Sequence, residues 1–272
     1  MDKKYSVLMS VYYKEKAEYL VQSIESILGQ TVKTDDFVIV CDGPLTKELD
    51  GVISDYESRF AHIFNIVRLE KNEGLGKALN EGLKHCRHEI VARMDSDDIS
   101  MPDRMEKELD AIVRENVDVV GAAIIEFSER TNNEIARRML PEKAEAIRCF
   151  ARRRNPFNHP AVMYKKSSVM DAGGYKDFML FEDYYLWIRM LLMGHSGYNI
   201  QEPLLYMRAG ENLYKRRGGL GYAKQIVKFR WFMLRHGYSN IIDFAVTAGG
   251  HTLVALLPNG MRKKFYERVL RK

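Results

Sequence analysis

The sequence predicts an α/β fold: a mostly parallel central sheet flanked by helices, followed by a helical C-terminal extension. Three observations predict it. Short, continuous apolar runs alternate with amphipathic segments over the first 120 residues, which is the pattern of parallel strands buried on both faces. Polar residues follow several of the runs directly, where open α/β sheets bind their ligands. Past Arg208 the alternation gives way to long helical stretches.

The elements follow in order. Tyr5–Tyr12 (YSVLMSVY) reads as a buried strand, and Tyr19–Leu28 as a helix with apolar residues at Leu20, Ile24, Ile27 and Leu28. Phe37–Cys41 is a second strand, Thr46–Arg59 a helix, Ile63–Leu69 a third strand, and Leu75 to Cys86 a helix. Glu89–Met94 is the fourth strand and runs into Asp95-Ser96-Asp97-Asp98. Pro102–Glu115 is a helix introduced by Ser100, Pro102 and Asp103, and Asp118–Phe127 a fifth strand. Beyond it lie a strand over Asn132–Leu140, a turn at Pro141, a helix over Glu142–Arg153 and a loop from Asn155 to Pro160. A short strand at Ala161–Tyr164, a loop at Gly173–Tyr175 and an aromatic helix over Glu182–Met193 complete this half. In the extension, Gly218–Gly221 is a break and Pro258-Asn259-Gly260 a turn before a basic last helix.

A chain of 272 residues is long enough to bury a sizeable core. Cys41, Cys86 and Cys149 are odd in number and form no CxxC pair, which argues for a reducing compartment and against a disulfide framework or a zinc site. The N-terminus runs straight into a strand, with no secretory pattern. Ile241–Leu257, the longest apolar stretch, is interrupted by Asp243, Gly249, Gly250 and His251. It reads as an interfacial helix and a poor membrane span. The net charge of +5 resides in residues 261–272, which hold six cations against Glu267, so the rest of the chain is balanced. That distribution disfavours nucleic-acid binding and points to an anionic partner at the tail.

The acidic run after the fourth strand carries the most chemistry. Three carboxylates within four residues repel one another, and a divalent ion with hard oxygen ligands relieves that repulsion. A helix cap at Asp98 or Ser100 uses one such residue and leaves two acids unexplained. Asp42 follows the second strand and Asn72 the third, so all three polar sites converge on one sheet edge.

The ordered series YSVLMSVYYKE, VIVCDG, NEGLGKALNEGL, ARMDSDD, NPFNHPAVMYKKS, GGYKDF and FEDYYLWIRM spans roughly residues 5–210. It resembles inverting family 2 glycosyltransferases of the GT-A fold, especially bacterial ones that build capsular or exopolysaccharide repeats. The resemblance implies a nucleotide-sugar-binding half at 1–127 and an acceptor-binding half at 128–210. Residues 211–272 are then an extension that associates with membrane.

It further implies that Asp42 reads the uracil edge of a UDP-sugar, and that Ser10, Tyr13 and Glu15 line the nucleoside pocket. Asn72 and Gly74 bring backbone N–H groups to the donor, with Lys77 the nearest cation. Asp95 and Asp97 become the DxD pair that holds Mn²⁺ or Mg²⁺, Asp97 more directly, with Arg93 and Ser96 beside them in the donor site. Asp183, ahead of Glu182, becomes the base that deprotonates the acceptor hydroxyl. His159 falls in the acceptor pocket, and Arg208, Arg216 and Arg217 in a cationic flap over the diphosphate.

Each position also has a structural reading. Asp42-Gly43 is an ordinary turn, and Asn72 an ordinary cap. Glu182-Asp183 suits any helix start, His159 a core histidine, and the arginines a solvated surface.

Gln225 and Arg230-Trp231 lack the QxxRW spacing of processive members, so one sugar is added per encounter. Met261, Phe265 and Val269 among cations suit a helix on an anionic membrane, ahead of a docked helix with a wet basic face. The expectation is therefore a non-processive hexosyltransferase, using a UDP-sugar and a polyprenyl-diphosphate-linked glycan. It would be cytoplasmic and peripheral on the inner face of the plasma membrane. A sugar nucleotidyltransferase and a non-catalytic basic interaction protein are the alternatives.

Overall fold

The computed structural model describes residues 4–128, 130–178, 180–209 and 218–257. Arg216, Arg217 and the basic tail lie outside the described residues. The first half runs β1 (Ser6–Val11), α1 (Ala17–Leu28), β2 (Asp36–Cys41), α2 (Lys47–Arg59), β3 (Phe64–Arg68), α3 (Leu75–His85) and β4 (Ile90–Asp95). These strands pair in parallel as β3-β2-β1-β4. Val7 and Met9 face a cluster with Ile24, Phe37 and Met105, while Leu8 faces one with Leu79, Leu83 and Trp187. Burial on both faces is why β1 and β2 are continuous apolar runs.

The second half is mixed. It contains β5 (Ile99–Ser100), α4 (Arg104–Arg114), β6 (Val119–Ser128), β7 (Arg130–Arg138), α5 (Ala144–Phe150), a 3-10 turn at His159–Ala161 and β8 (Val162–Lys165). Then come α6 (Lys166–Asp171), α7 (Glu182–Leu192), β9 (Gly197–Arg208), α8 (Leu220–Arg235) and α9 (Ile241–Leu256). The sheet continues β4-β8-β6-β9-β5, with β7 on β6. β8 is antiparallel to β4 and β6, β6 and β9 are parallel, and β5 is antiparallel to β9. The parallel character expected from the sequence thus belongs to the strands of the first half, and β6–β9 adds one more parallel pair.

Two expectations are corrected. The chain from Gly197 is a twelve-residue strand, β9, that the pattern did not reveal. Gln201-Glu202-Pro203 interrupts its apolar rhythm where its register against β6 shifts, between Ala122 and Ile124. Neither Asp98 nor Ser100 caps α4. The Gln30 side chain at the end of α1 does so, its Oε1 accepting the Met105 N–H at 3.0 Å while its Nε2 donates to the Met101 carbonyl at 2.8 Å.

Candidate active site

Because β1, β2 and β4 are parallel and in register, Ser10 sits opposite Val40 on one side and Asp95 on the other. Asp42 and the acidic turn therefore flank the end of β1, roughly 10 Å apart across two strand spacings. Ser10 is half-buried between them, while Tyr13 is exposed beyond the strand.

Asp42 is only 3 % exposed. Its Oδ1 accepts the Glu73 N–H at 2.7 Å and its Oδ2 the Gly74 N–H at 3.1 Å, and Asn72 Nδ2 donates to its carbonyl at 3.2 Å. The loop before α3 is thereby tied to the end of β2. Gly43 (φ +85°) is required here, since a Cβ would lie 2.5 Å from the Asn72 nitrogen. Asp42, Asn72 and Gly74 thus form one unit. Lys77 leaves it, since its Nζ pairs with Glu73 at 2.9 Å on an exposed face.

In the acidic turn, carboxylate oxygens of Asp95, Asp97 and Asp98 lie within 4.8 Å of one another. Buried Arg93 binds Asp95 from below through Nη2, and its Nε and Nη1 have no hydrogen-bond partner among the described residues. Ser96 Oγ donates to Glu15 Oε2 at 2.8 Å, which brings a fourth carboxylate to the cluster. Burial first, then the charges of Asp95 and Glu15, push the Asp97 carboxyl up to about 7. Asp98 is buried and pushed well above the usual carboxylate range by burial, Asp97 and Asp95. Its Oδ1 accepts the Arg208 N–H at 2.8 Å, and its Oδ2 has no partner among the described residues.

A hard divalent cation would relieve the carboxylate repulsion and take up the unpartnered Asp98 Oδ2, so the donor set fits Mn²⁺ or Mg²⁺. Asp98 is a third candidate ligand that the DxD reading left out. The run of three acids was its signal.

Arg208, at the end of β9, is fixed against this turn. Its Nε donates to the Asp97 carbonyl at 3.0 Å and its Nη2 to Gln22 Oε1 at 2.8 Å, with the guanidinium 3.8 Å from the Tyr19 ring centroid. It clamps the turn through backbone atoms.

The second half supplies Glu182 and Asp183 at the start of α7. Asp183 Oδ2 accepts the Asn155 Nδ2 at 2.6 Å, and its Oδ1 the Tyr184 N–H at 2.7 Å. Burial raises the Glu182 carboxyl above its ordinary value. This segment is docked on α3: a Cβ at Gly76 would sit 3.5 Å from Tyr175 Cβ and 3.6 Å from Glu182 Cγ. Asn80 on α3 holds the backbone of Tyr175 at both ends, accepting its N–H at 2.7 Å and donating to its carbonyl at 2.6 Å. His159 Nε2 is hydrogen-bonded to the Tyr175 hydroxyl at 3.0 Å. Burial and the Arg93 charge hold His159 well below its ordinary pKa, so it is neutral at pH 7.

The Arg93 charge thus acts on both Tyr175 and His159, which lie between the acidic turn and the start of α7. Asn155, Tyr175 and Asn80 stand inside the sequence motifs without a signal of these contacts, and Arg230 is visible in the sequence only through the processivity motif. Buried Arg230 on α8 donates to the Arg152 and Arg153 carbonyls at 3.2 and 2.7 Å and to the Tyr184 hydroxyl at 3.1 Å. It therefore anchors the chain on either side of the Asn155–Asp183 contact.

Comparison with known proteins agrees with this geometry. Residues 6–177 match the model for glycosyl transferase family 2. The chain is 39% identical to the amylovoran biosynthesis glycosyltransferase AmsE of Erwinia amylovora over 266 residues, covering 97% of this chain and 98% of the relative. It is 37% identical over 270 residues to the UDP-Gal:alpha-D-GlcNAc-diphosphoundecaprenol beta-1,3-galactosyltransferase of Escherichia coli, covering 99% and 97%. The fold is similar to that of the mannosyltransferase PcManGT from Pyrobaculum calidifontis in complex with GDP-Man and Mn²⁺. That match has a TM-score of 0.67 at 15% identity and covers 95% of this chain and 71% of that one. These matches decide between the transferase and its two alternatives, and the chain belongs to glycosyl transferase family 2, with the GT-A fold.

Proposed function

We propose that the protein transfers a hexose with inversion from a UDP-sugar to a hydroxyl of a polyprenyl-diphosphate-linked glycan, one sugar per encounter, in capsule or exopolysaccharide assembly. One observation carries the reading. The carboxylates of Asp95, Asp97 and Asp98 converge at the end of β4, while Asp183, oriented by Asn155, comes from the other half of the chain on a segment packed over α3. The relative that uses UDP-Gal and a diphosphoundecaprenol acceptor supports the choice of donor and acceptor class.

In this reading residues 1–127 bind the donor and 128–210 the acceptor. Asp95 and Asp97, with Asp98 behind them, would hold a Mn²⁺ or Mg²⁺ ion that supplies counter-charge for the departing diphosphate. Asp42 keeps lone pairs beyond those used by Glu73 and Gly74, and accepts the uracil imide N–H. Asp183 takes the acceptor's hydroxyl proton as the new bond to the anomeric carbon forms and the bond to UDP breaks. Asn155 fixes which carboxylate oxygen is presented. Buried Tyr175 and neutral His159 stand between the two sites. The basic tail holds the enzyme at the anionic inner face of the plasma membrane, where such acceptors reside.

A panel of UDP-sugars with and without Mn²⁺ tests this by thermal stabilisation and donor hydrolysis. The expected result is stabilisation by UDP-sugars that requires the metal, with turnover of one sugar. Stabilisation by no uridine nucleotide, with metal present, would overturn the donor assignment.

A further inference from the structure

The α8–α9 pair carries a surface that the transfer reaction does not use. α8 packs inward through Ala223, Ile226, Phe229 and Met233, which leaves Leu220, Val227 and Trp231 along its outer line. On α9, Ile241 and Ile242 are 72 and 63 % exposed and Leu253 71 %, with Val246 and Leu256 beside them. Apart from His251, the only titratable side chain of α9 is Asp243, and that is buried and paired with Arg153 Nε at 2.6 Å. A surface helix in water normally shows the reverse, polar outside and apolar inside. Lys224, Lys228 and Arg235 are exposed on α8, which has no acid. None of the described helices is long and apolar enough to cross a membrane.

We propose that this face seats the protein on an anionic bilayer, with its apolar side chains in the headgroup boundary and the α8 cations meeting lipid phosphates. The uniformly positive α8 favours anionic lipid over a second copy, since a two-fold dimer that packs α8 on α8 would set cations against cations. The inference deepens the lipid-linked acceptor reading, although the surface itself is independent of it.

The test uses the full chain with phosphatidylcholine vesicles and with vesicles that also contain phosphatidylglycerol. The chain has two tryptophans, of which Trp187 is fully buried and Trp231 is half-exposed. A blue shift in emission on anionic vesicles therefore reports Trp231 entering the boundary. Trp231→Phe should abolish the shift while leaving cosedimentation. Ile242→Glu with Leu253→Glu, both at exposed positions, should weaken vesicle binding about tenfold or more, still measurable at high salt where the tail is screened. Melting temperature and vesicle-free UDP-sugar hydrolysis should stay at wild-type levels.

Absence of vesicle binding overturns the proposal, as does binding undiminished by the double variant. A dimer in light scattering that the double variant dissolves would assign the face to a second copy instead. Vesicle binding without UDP-sugar turnover would sink the transfer reading alone.

Discussion

Asp97→Asn should remove activity and add stability in the same variant. Burial and the charges of Asp95 and Glu15 raise the Asp97 carboxyl from 3.8 to about 7 in the folded protein. A raised carboxyl means that the folded state holds a proton that the unfolded state has lost between about pH 4 and 7. Metal-free stability therefore falls as pH rises through that window, and the whole cost is present above pH 7. Three pH units at about 1.4 kcal/mol each set it at up to about 4 kcal/mol. For a chain of this size that is a melting shift on the order of 10 °C.

Thermal unfolding at pH 5 and pH 8, with chelator and with Mn²⁺, reads the effect as the difference between wild type and variant. The variant should melt higher than wild type at pH 8 without metal, and near it at pH 5. Mn²⁺ should stabilise wild type far more at pH 8, where no proton competes for the ligand, and should stabilise the variant little. A variant that melts below wild type at pH 8 without metal, or an equal response of both proteins to Mn²⁺, would refute the reasoning.

Asp183→Asn should lower kcat by about a thousandfold while UDP-sugar affinity stays unchanged, because it removes a base and leaves the donor site intact. Ordinary turnover by this variant would dismiss Asp183 as the base. Arg230→Met leaves the Arg152 and Arg153 carbonyls and the Tyr184 hydroxyl without this buried donor, which should cost about 2 kcal/mol in denaturant melts. It should also reduce kcat more than the KM for donor, with partial recovery in Arg230→Lys. A stability loss with kcat untouched would confine Arg230 to the scaffold.

The first half of the fold was legible because each of its elements is locally self-consistent. β1, β2 and β4 are continuous apolar runs that end in polar residues, and α1 and α3 carry a clear 3.6-residue period. β9 was not legible because its pairing with β6 slips where Gln201-Glu202-Pro203 breaks the pattern. The acidic turn was found from charge alone, yet the part played by Asp98 was not. Its proximity to the N-terminus of α4 suggested a cap, whereas its partner is a backbone N–H 110 residues away in β9. The same limit hid Asn80 and Arg230, whose partners are the backbone of Tyr175 and the end of α5. Contacts between a side chain and a distant main chain leave no periodic trace in a sequence.

The short link at Ser96–Asp98 has a consequence for how members of this family can diversify. It joins β4 to β5 and so closes a path that runs through β8, β6 and β9. β8, β6 and β9 of the second half are thus laced back to the acidic turn, and Arg208 and Asp98 make the knot. Exchanging residues 128–210 between two relatives as a cassette would split β6 from β8, β9 and β7 at once. Change is therefore more accessible in loops such as Asn155–Pro160 and Gly173–Phe178 than by recombining halves. Such a chain diversifies by editing in place, and the acidic turn that closes the sheet path is the reason.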